Sequence, residues 1–169
     1  MSNLPALLAD YGAYHRDSRN RLTHYFGVPA IVYAILVLPA LHTATLFGFT
    51  VEVDRLIVVP FVLFYLVLDL WLGLILAVVF ALLCAAAEAT TQLGTTVSTL
   101  VAGAVFILGW ALQFFGHYLE GNRPALLTNL FQIVVAPIYL IAELSFGLGL
   151  RPGLQAQIER RPGPPAIHP

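Results

Sequence analysis

Five histidines and nine acids are set in a chain of 169 residues that is 59% hydrophobic and only 10% charged. Imidazole is the commonest side-chain metal ligand, and it exchanges protons near neutrality. His15, His24 and His117 are the histidines with polar company. Tyr11 and His15 stand at i, i+4. His117 and Glu120 stand at i, i+3, and Gln113 lies one turn before His117 on the same helical face, where it can orient the ring. Asn129 and Gln132 repeat the i, i+3 spacing. His15 and His24 are nine apart, on opposite faces of any straight helix, so they converge only if the chain bends between them. Asp17, Ser18 and Asn20 are turn and N-cap residues suited to that bend. Three imidazoles at one place suit a metal site, whereas each alone would be an ordinary hydrogen-bonded anchor. Arg123 fits either a site role or a topology signal, and Asn129 and Gln132 fit either a site or a helix–helix hydrogen bond.

The elements that must position these groups are membrane helices. A soluble domain is about a quarter charged, and the mean hydropathy here is +0.85. The net charge of −1 gives no footing for nucleic acid. Residues 1–24 are polar, with no apolar core of a signal peptide. A first span is expected over Tyr25–Phe49, with Pro29 in its first turns and a kink at Pro39. Glu52–Arg55 reads as a loop. Leu56–Leu93 fits two spans, turning at Asp69–Gly73 with Trp71 as an interfacial ring. Glu88–Thr96 reads as the next loop and Val97–His117 as the fourth span. Residues 125–149 are apolar but interrupted by Asn129, Gln132, Pro137 and Glu143. They read as a broken or re-entrant pair split at Pro137, with a fifth complete span as the alternative. The expected fold is an all-α polytopic bundle. Residues 1–150 form one membrane-embedded domain, and 151–169 a polar tail. Cys84 reads as a small buried hydrophobe.

Arginine placement orients the bundle. Arg16, Arg19 and Arg21 favour the cytoplasmic side, as do Arg123, Arg151, Arg160 and Arg161. Four crossings then gather His15, His24, His117, Glu120, Arg123, Asn129 and Gln132 at the cytoplasmic end. His42 falls at the opposite end, as an interfacial residue, and His168 in the tail. Ionisable groups within membrane segments are functional-site candidates by default. All eight basic residues are Arg, which points towards a bacterial inner membrane rather than the endoplasmic reticulum.

Two blocks of sequence carry a resemblance. Tyr11-Gly-Ala-Tyr14-His15, Asn20-Arg-Leu-Thr-His24 and Gly27-Val-Pro29 form the first. Gly109-Trp-Ala-Leu-Gln113-Phe-Phe-Gly-His117, Glu120, Arg123-Pro-Ala-Leu126, Asn129, Gln132, Ala136-Pro137 and Glu143 form the second. In this order they resemble the Mpo1-like family of 2-hydroxy fatty acid dioxygenases, over about residues 8–158. The middle of the chain resembles that family only in hydropathy.

The resemblance implies an Fe(II)-dependent enzyme of fatty acid α-oxidation, which in the family serves sphingoid base degradation. A 2-hydroxy long-chain fatty acid and O2 would give the fatty acid one carbon shorter, CO2 and H2O. The substrate supplies all four electrons, so no nicotinamide or 2-oxoglutarate is needed. It implies iron held by His15, His24 and His117. Arg123 would hold the carboxylate, and Glu120 would serve as a further ligand or as general base. Tyr14, Asn20, Asn129 and Gln132 would contact the substrate, with the acyl tail among the spans. The alternative is a lipid-binding or transport protein whose polar site, or a structural zinc site, does no chemistry.

Overall fold

A computed structural model describes residues 4–121 and 131–161. The elements are α1 (Leu4–Gly12), α2 (Ser18–Ala40), β1 (Thr43–Leu46), β2 (Phe49–Glu52), α3 (Val53–Leu68), α4 (Leu70–Thr91), α5 (Thr95–Glu120), α6 (Phe131–Gly147) and α7 (Pro152–Glu159). Three helices are long and apolar enough to cross a membrane: α2, α4 and α5. The bent pair α6–α7 passes the same criterion jointly. The helical membrane bundle expected from the sequence is therefore the fold. α3, at 16 residues, is antiparallel to α4 and spans about 24 Å at 1.5 Å per residue.

The first span, α2, differs from expectation at both ends. It starts at Ser18, not Tyr25, because the Asp17 carboxylate caps it by accepting from Arg19 N–H. Pro29 and Pro39 consequently both lie inside it. It stops at Ala40, not Phe49. Residues 43–52 form a two-stranded hairpin in which Leu46 pairs with Phe49. Phe47 and Gly48, at φ of 52° and 84°, make the two-residue turn, whose backbone twist suits a hairpin. Hydropathy alone absorbed this segment into the span, although its alternating Thr and apolar residues fit a strand.

The turn between the third and fourth helices lies where expected, at Asp69, which caps α4 by accepting from Leu72 N–H at 3.0 Å. The expected loop at Glu88–Thr96 is shorter. α4 runs on to Thr91, and a turn ending at Gly94 leads into α5. The expected break at Pro137 does not occur, and α6 passes through that residue. The chain bends by 112° after Gly147 instead. There Leu150 N–H bonds Ser145 C=O (2.8 Å) and Gly149 N–H bonds Phe146 C=O (2.9 Å). With Gly149 at φ 70°, this is a Schellman termination, which turns a helix sharply away from its axis.

The closest helix pair is α2 with α5, and glycine makes it so. A Cβ on Gly109 would stand 3.2 Å from both Gly27 C=O and Ile31 N, and one on Gly27 would stand 3.0 Å from Gly109 C=O. A Cβ on Gly116 would collide with the Asn20 and Thr23 side chains. Small residues let membrane helices pack backbone to backbone. α1 contributes Leu4, Leu8 and Tyr11 to the same buried core as α4 and α6. Tyr65 of α3 donates to Val134 C=O of α6 at 2.8 Å. Asp69 and Arg151 pair through two hydrogen bonds of 2.8 and 2.5 Å, joining the α3–α4 turn to the α6–α7 bend. Arg151 also lies over the Trp71 ring.

Candidate metal centre

Three local decisions bring the histidines together. The chain leaves α1 at Gly12 in a tight turn, with Tyr14 N–H on Tyr11 C=O and His15 N–H on Gly12 C=O, both at 3.1 Å. It re-enters a helix at Ser18, which supplies the bend that the nine-residue spacing demands. The glycine-lined approach of α2 to α5 then sets His24 against His117. All three rings are buried, and one ligand nitrogen from each lies within 4.8 Å of the others. The ring centroids are 4.6 Å apart for His15–His24 and 5.0 Å for each pair with His117.

The hydrogen bonds fix which nitrogens are available. His15 Nδ1 donates to Tyr11 C=O and His24 Nδ1 donates to Asn20 C=O, both at 2.9 Å. A carbonyl only accepts, so both Nδ1 atoms carry the hydrogen, and the neutral rings keep bare lone pairs on Nε2. Those two Nε2 atoms face each other at 3.1 Å. Lone pair against lone pair is repulsive unless a cation lies nearby. A proton is disfavoured at His15, because burial, then the neighbouring His24, pushes its pKa down to about 3. His117 Nδ1 is likewise buried without a hydrogen-bond partner. Two imidazole nitrogens on one first-row metal stand roughly 2.8–3.4 Å apart, for bonds of about 2.0–2.1 Å at 90–109°. The residues therefore fit a metal ion. Carbonyl-anchored Nδ1–H groups are the usual outer partners of metal-bound imidazoles.

Around this centre runs a cleft of about 650 Å³, counting its open mouth. One end holds Tyr11, His15, His24 and His117, with Gln113 one turn before His117, and Gln132 also lines the cleft. Val28, Ile31, Val32 and Ile35 continue along α2, facing Trp110 and Phe114 of α5 and Ile133 and Ala136 of α6. From His24 to Ile35 the cleft follows α2 for about 16 Å at 1.5 Å per residue. Ile35, Phe114 and Ile133 are exposed on the bundle's outer surface. The cleft thus opens sideways, where the bilayer would be.

The other expected site residues divide into three groups. Gln132 lines the cleft. Glu120 and Asn20 stand behind the histidines. Glu120 accepts from Arg16 N–H at 2.5 Å and Asp17 N–H at 3.1 Å, and its second oxygen accepts from the Asn20 amide. Both carboxylate oxygens are thereby committed to the turn between His15 and His24, and Glu120 is outside the ligand cluster. Asn20 is fully buried and gives its carbonyl to His24. Tyr14 is half-buried in the α1–α2 turn and is not on the cleft wall. Arg123, Asn129 and His168 lie outside the described residues. His42 lies past the end of α2, at the opposite end of the bundle.

Sequence reasoning missed Tyr11 as a wall of the site. Its ring stacks on His15 at 4.1 Å with a 3° interplanar angle and leans on Tyr139 at 4.6 Å. The i, i+4 spacing to His15 was the available signal. Arg21, which the sequence marks only as a topology residue, donates to Arg16 C=O at 2.9 Å and His15 C=O at 3.2 Å and pairs with Glu143 at 3.5 Å.

Comparison with known proteins adds identity to this geometry. The family described as "2-hydroxy-palmitic acid dioxygenase Mpo1-like" matches residues 1–148. The chain belongs to the Mpo1-like family. It is 34% identical over 159 residues to the 2-hydroxy-palmitic acid dioxygenase MPO1 of Saccharomyces cerevisiae, covering 93% of this chain and 88% of that one. No solved structure matches it. Membership makes the chain a dioxygenase, and the buried His15–His24–His117 group is a place where this Mpo1-like enzyme can hold a metal.

Proposed function

We propose that this Mpo1-like chain is an integral membrane Fe(II) dioxygenase. It takes a 2-hydroxy long-chain fatty acid and O2 to the acid one carbon shorter, CO2 and water. The observation that carries the reading is the pair of bare Nε2 atoms, 3.1 Å apart, at the closed end of a cleft whose other end opens sideways. An amphiphilic acid fits that layout, with its head at the histidines and its tail along α2. Each buried methylene contributes about 0.8 kcal/mol.

His15, His24 and His117 would hold the iron, which supplies O2 activation and an electrophilic position for the hydroxy acid. The chain's own residues do the rest. The Tyr11 and Asn20 carbonyls keep Nδ1 protonated, so that Nε2 is always the free donor atom. The Tyr11 ring, flat on His15, stops that imidazole from rotating. Glu120 holds the His15–His24 turn, which makes it a positioning residue rather than a ligand or base. The apolar wall from Val28 to Ile35 excludes water from the acyl chain. With Arg16, Arg19 and Arg21 flanking the site, the head end faces the cytoplasm.

The test is direct. The chain in nanodiscs, loaded with Fe(II), should consume O2 with 2-hydroxypalmitate and release pentadecanoate. His117→Ala should lose both iron and turnover. Full activity after exhaustive chelation would sink the iron mechanism.

A further inference from the structure

Several polar side chains inside the bundle are satisfied by nearby backbone carbonyls. Ser98 Oγ donates to Thr90 and Gly94 carbonyls, both at 2.8 Å, Ser145 Oγ to Ile141 C=O at 2.6 Å, and Tyr65 to Val134. Two amides on the cleft wall are not so satisfied. Gln113 is buried, and its Nε2 has no hydrogen-bond partner; Gln132 Oε1 is buried and likewise has none. Both residues line the same apolar cleft as the three histidines. Leaving such a group unpaired costs about 1–3 kcal/mol, a cost a bound ligand can offset.

The fold also makes room for one of them. A Cβ on Gly27 would collide with Gln113 Nε2, so the surface of α2 is pared to backbone where that amide lies. Gln113 sits one helical turn before His117, and Gly27 one turn after His24. The amide is therefore seated beside two of the three rings. Gln132 is in the first turn of α6, across the cleft.

A 2-hydroxy carboxylic acid is the complement of this pair. Its carboxylate accepts, and its hydroxyl donates. We propose that the Gln113 amide donates to the carboxylate of the bound acid while the Gln132 amide oxygen accepts from the 2-hydroxyl, so that Gln132 distinguishes substrate from a plain fatty acid. The product of the reaction is itself a plain fatty acid. It would leave Gln132 unpaired again, which favours release of product over substrate. This assignment rests on the reading of the cleft as a 2-hydroxy fatty acid site.

The experiment uses the full-length chain in nanodiscs, stripped of metal by a chelator, so that binding is read without turnover or chelation to iron. A fluorescent fatty acid is displaced by 2-hydroxypalmitate or by palmitate. Wild type should bind 2-hydroxypalmitate roughly tenfold more tightly than palmitate, the worth of one hydrogen bond to an otherwise unmet buried acceptor. Gln132→Met should abolish that preference, with palmitate affinity unchanged within twofold. Gln113→Met should weaken both ligands by about tenfold or more, as for a bond to a charged group, and keep the preference. Gln→Leu at each position should repeat the pattern. A purely structural role at either position would weaken both ligands alike in Gln132→Met, or neither in Gln113→Met. Either result overturns the assignment, as does a wild type without preference. Oxygen uptake by the Fe(II)-loaded wild type is measured in parallel. Its absence would refute the enzyme reading, while the binding pattern would still decide the roles of the two amides.

Discussion

The two ends of the bundle hold polar groups in different states. At the hairpin end, Arg55 bonds both oxygens of Glu88 at 2.6 Å and reaches Glu52 at 3.1 Å. Asp54 is buried there in the first turn of α3, without a hydrogen-bond partner. Its neighbours are Cys84, Arg55 and Glu88, and among the described residues the one cluster of three metal-type ligands is His15–His24–His117. At the histidine end several unmet atoms converge. His117 Nδ1, Gln113 Nε2 and Gln132 Oε1 lack partners, and two Nε2 lone pairs confront each other. Polar residues as such do not mark a site in this bundle. Convergence of unmet groups on one cleft does.

The comparison is broken most severely by emptying one side of it. His24→Ala should lose bound iron and turnover by more than a hundredfold, since two imidazoles rarely retain a metal that three hold. Glu88→Gln, at the other end, should keep the iron stoichiometry and turnover within twofold. Its exposed pair with Arg55 is worth ~1 kcal/mol at most. Metal analysis and oxygen uptake on the two purified variants decide the matter. Equal losses would mean that polar groups at both ends serve the reaction.

Helix approach comes next. Gly109→Val would place methyl groups where Ile31 Cγ1 is already 2.7 Å from an ideal Cβ. Overpacking costs about 1–3 kcal/mol. Here it should also push α5 from α2 and open the His24–His117 contact, lowering iron affinity at least tenfold. Gly103 is on the same helix, and a Cβ there meets nothing within 4 Å. Gly103→Val should leave iron binding unchanged. If the two variants behave alike, the close approach does not hold the centre.

Glu120 sharpens the comparison, because it is fully satisfied yet sits at the histidine end. As the clamp on the Arg16–Asn20 turn, its replacement by Gln should weaken iron binding roughly 10–100-fold, the usual cost of losing an outer partner of metal ligands. Excess Fe(II) should restore turnover. A ligand or general base would give a loss in turnover that no amount of iron restores.

The histidine triad was legible in the sequence because hydropathy gives the number of crossings, and that number decides which histidines share an end. The turn at Asp69 was legible because one acid interrupts a long apolar run. The hairpin was not, since Thr43–Glu52 is too short for its alternation to stand out against the hydropathy of the preceding helix. The α6 bend was ascribed to Pro137, but a proline inside a membrane helix is tolerated when neighbours satisfy the freed carbonyl, and the Gly149 termination lies further on. Spacing of i, i+3 put Glu120 beside His117 but could not say which way it reached. Its partners, Arg16, Asp17 and Asn20, are about a hundred residues away, and no local pattern encodes them.

Asp69 and Arg151 supply the mildest test, and they separate position from pairing. The pair is at the same end as the histidines, but both its groups are matched, so by the convergence argument it is structural. Asp69→Asn keeps an oxygen to cap α4 through Leu72 N–H and removes only the charge facing Arg151. It should cost about 1–2 kcal/mol of stability, between an exposed and a buried ion pair, and leave iron content unchanged. The hydrogen bonds from Arg151 hold the Asp69 carboxyl below the usual carboxylate range. A depressed folded-state pKa stabilises above the unfolded value of about 3.9 and ceases to as pH falls through the folded one. The difference in thermal stability between wild type and Asp69→Asn should accordingly be full at pH 6 and shrink below about pH 4. A difference that grew in acid would mean that Asp69 is protonated in the fold and that the bend is held by something other than this pair.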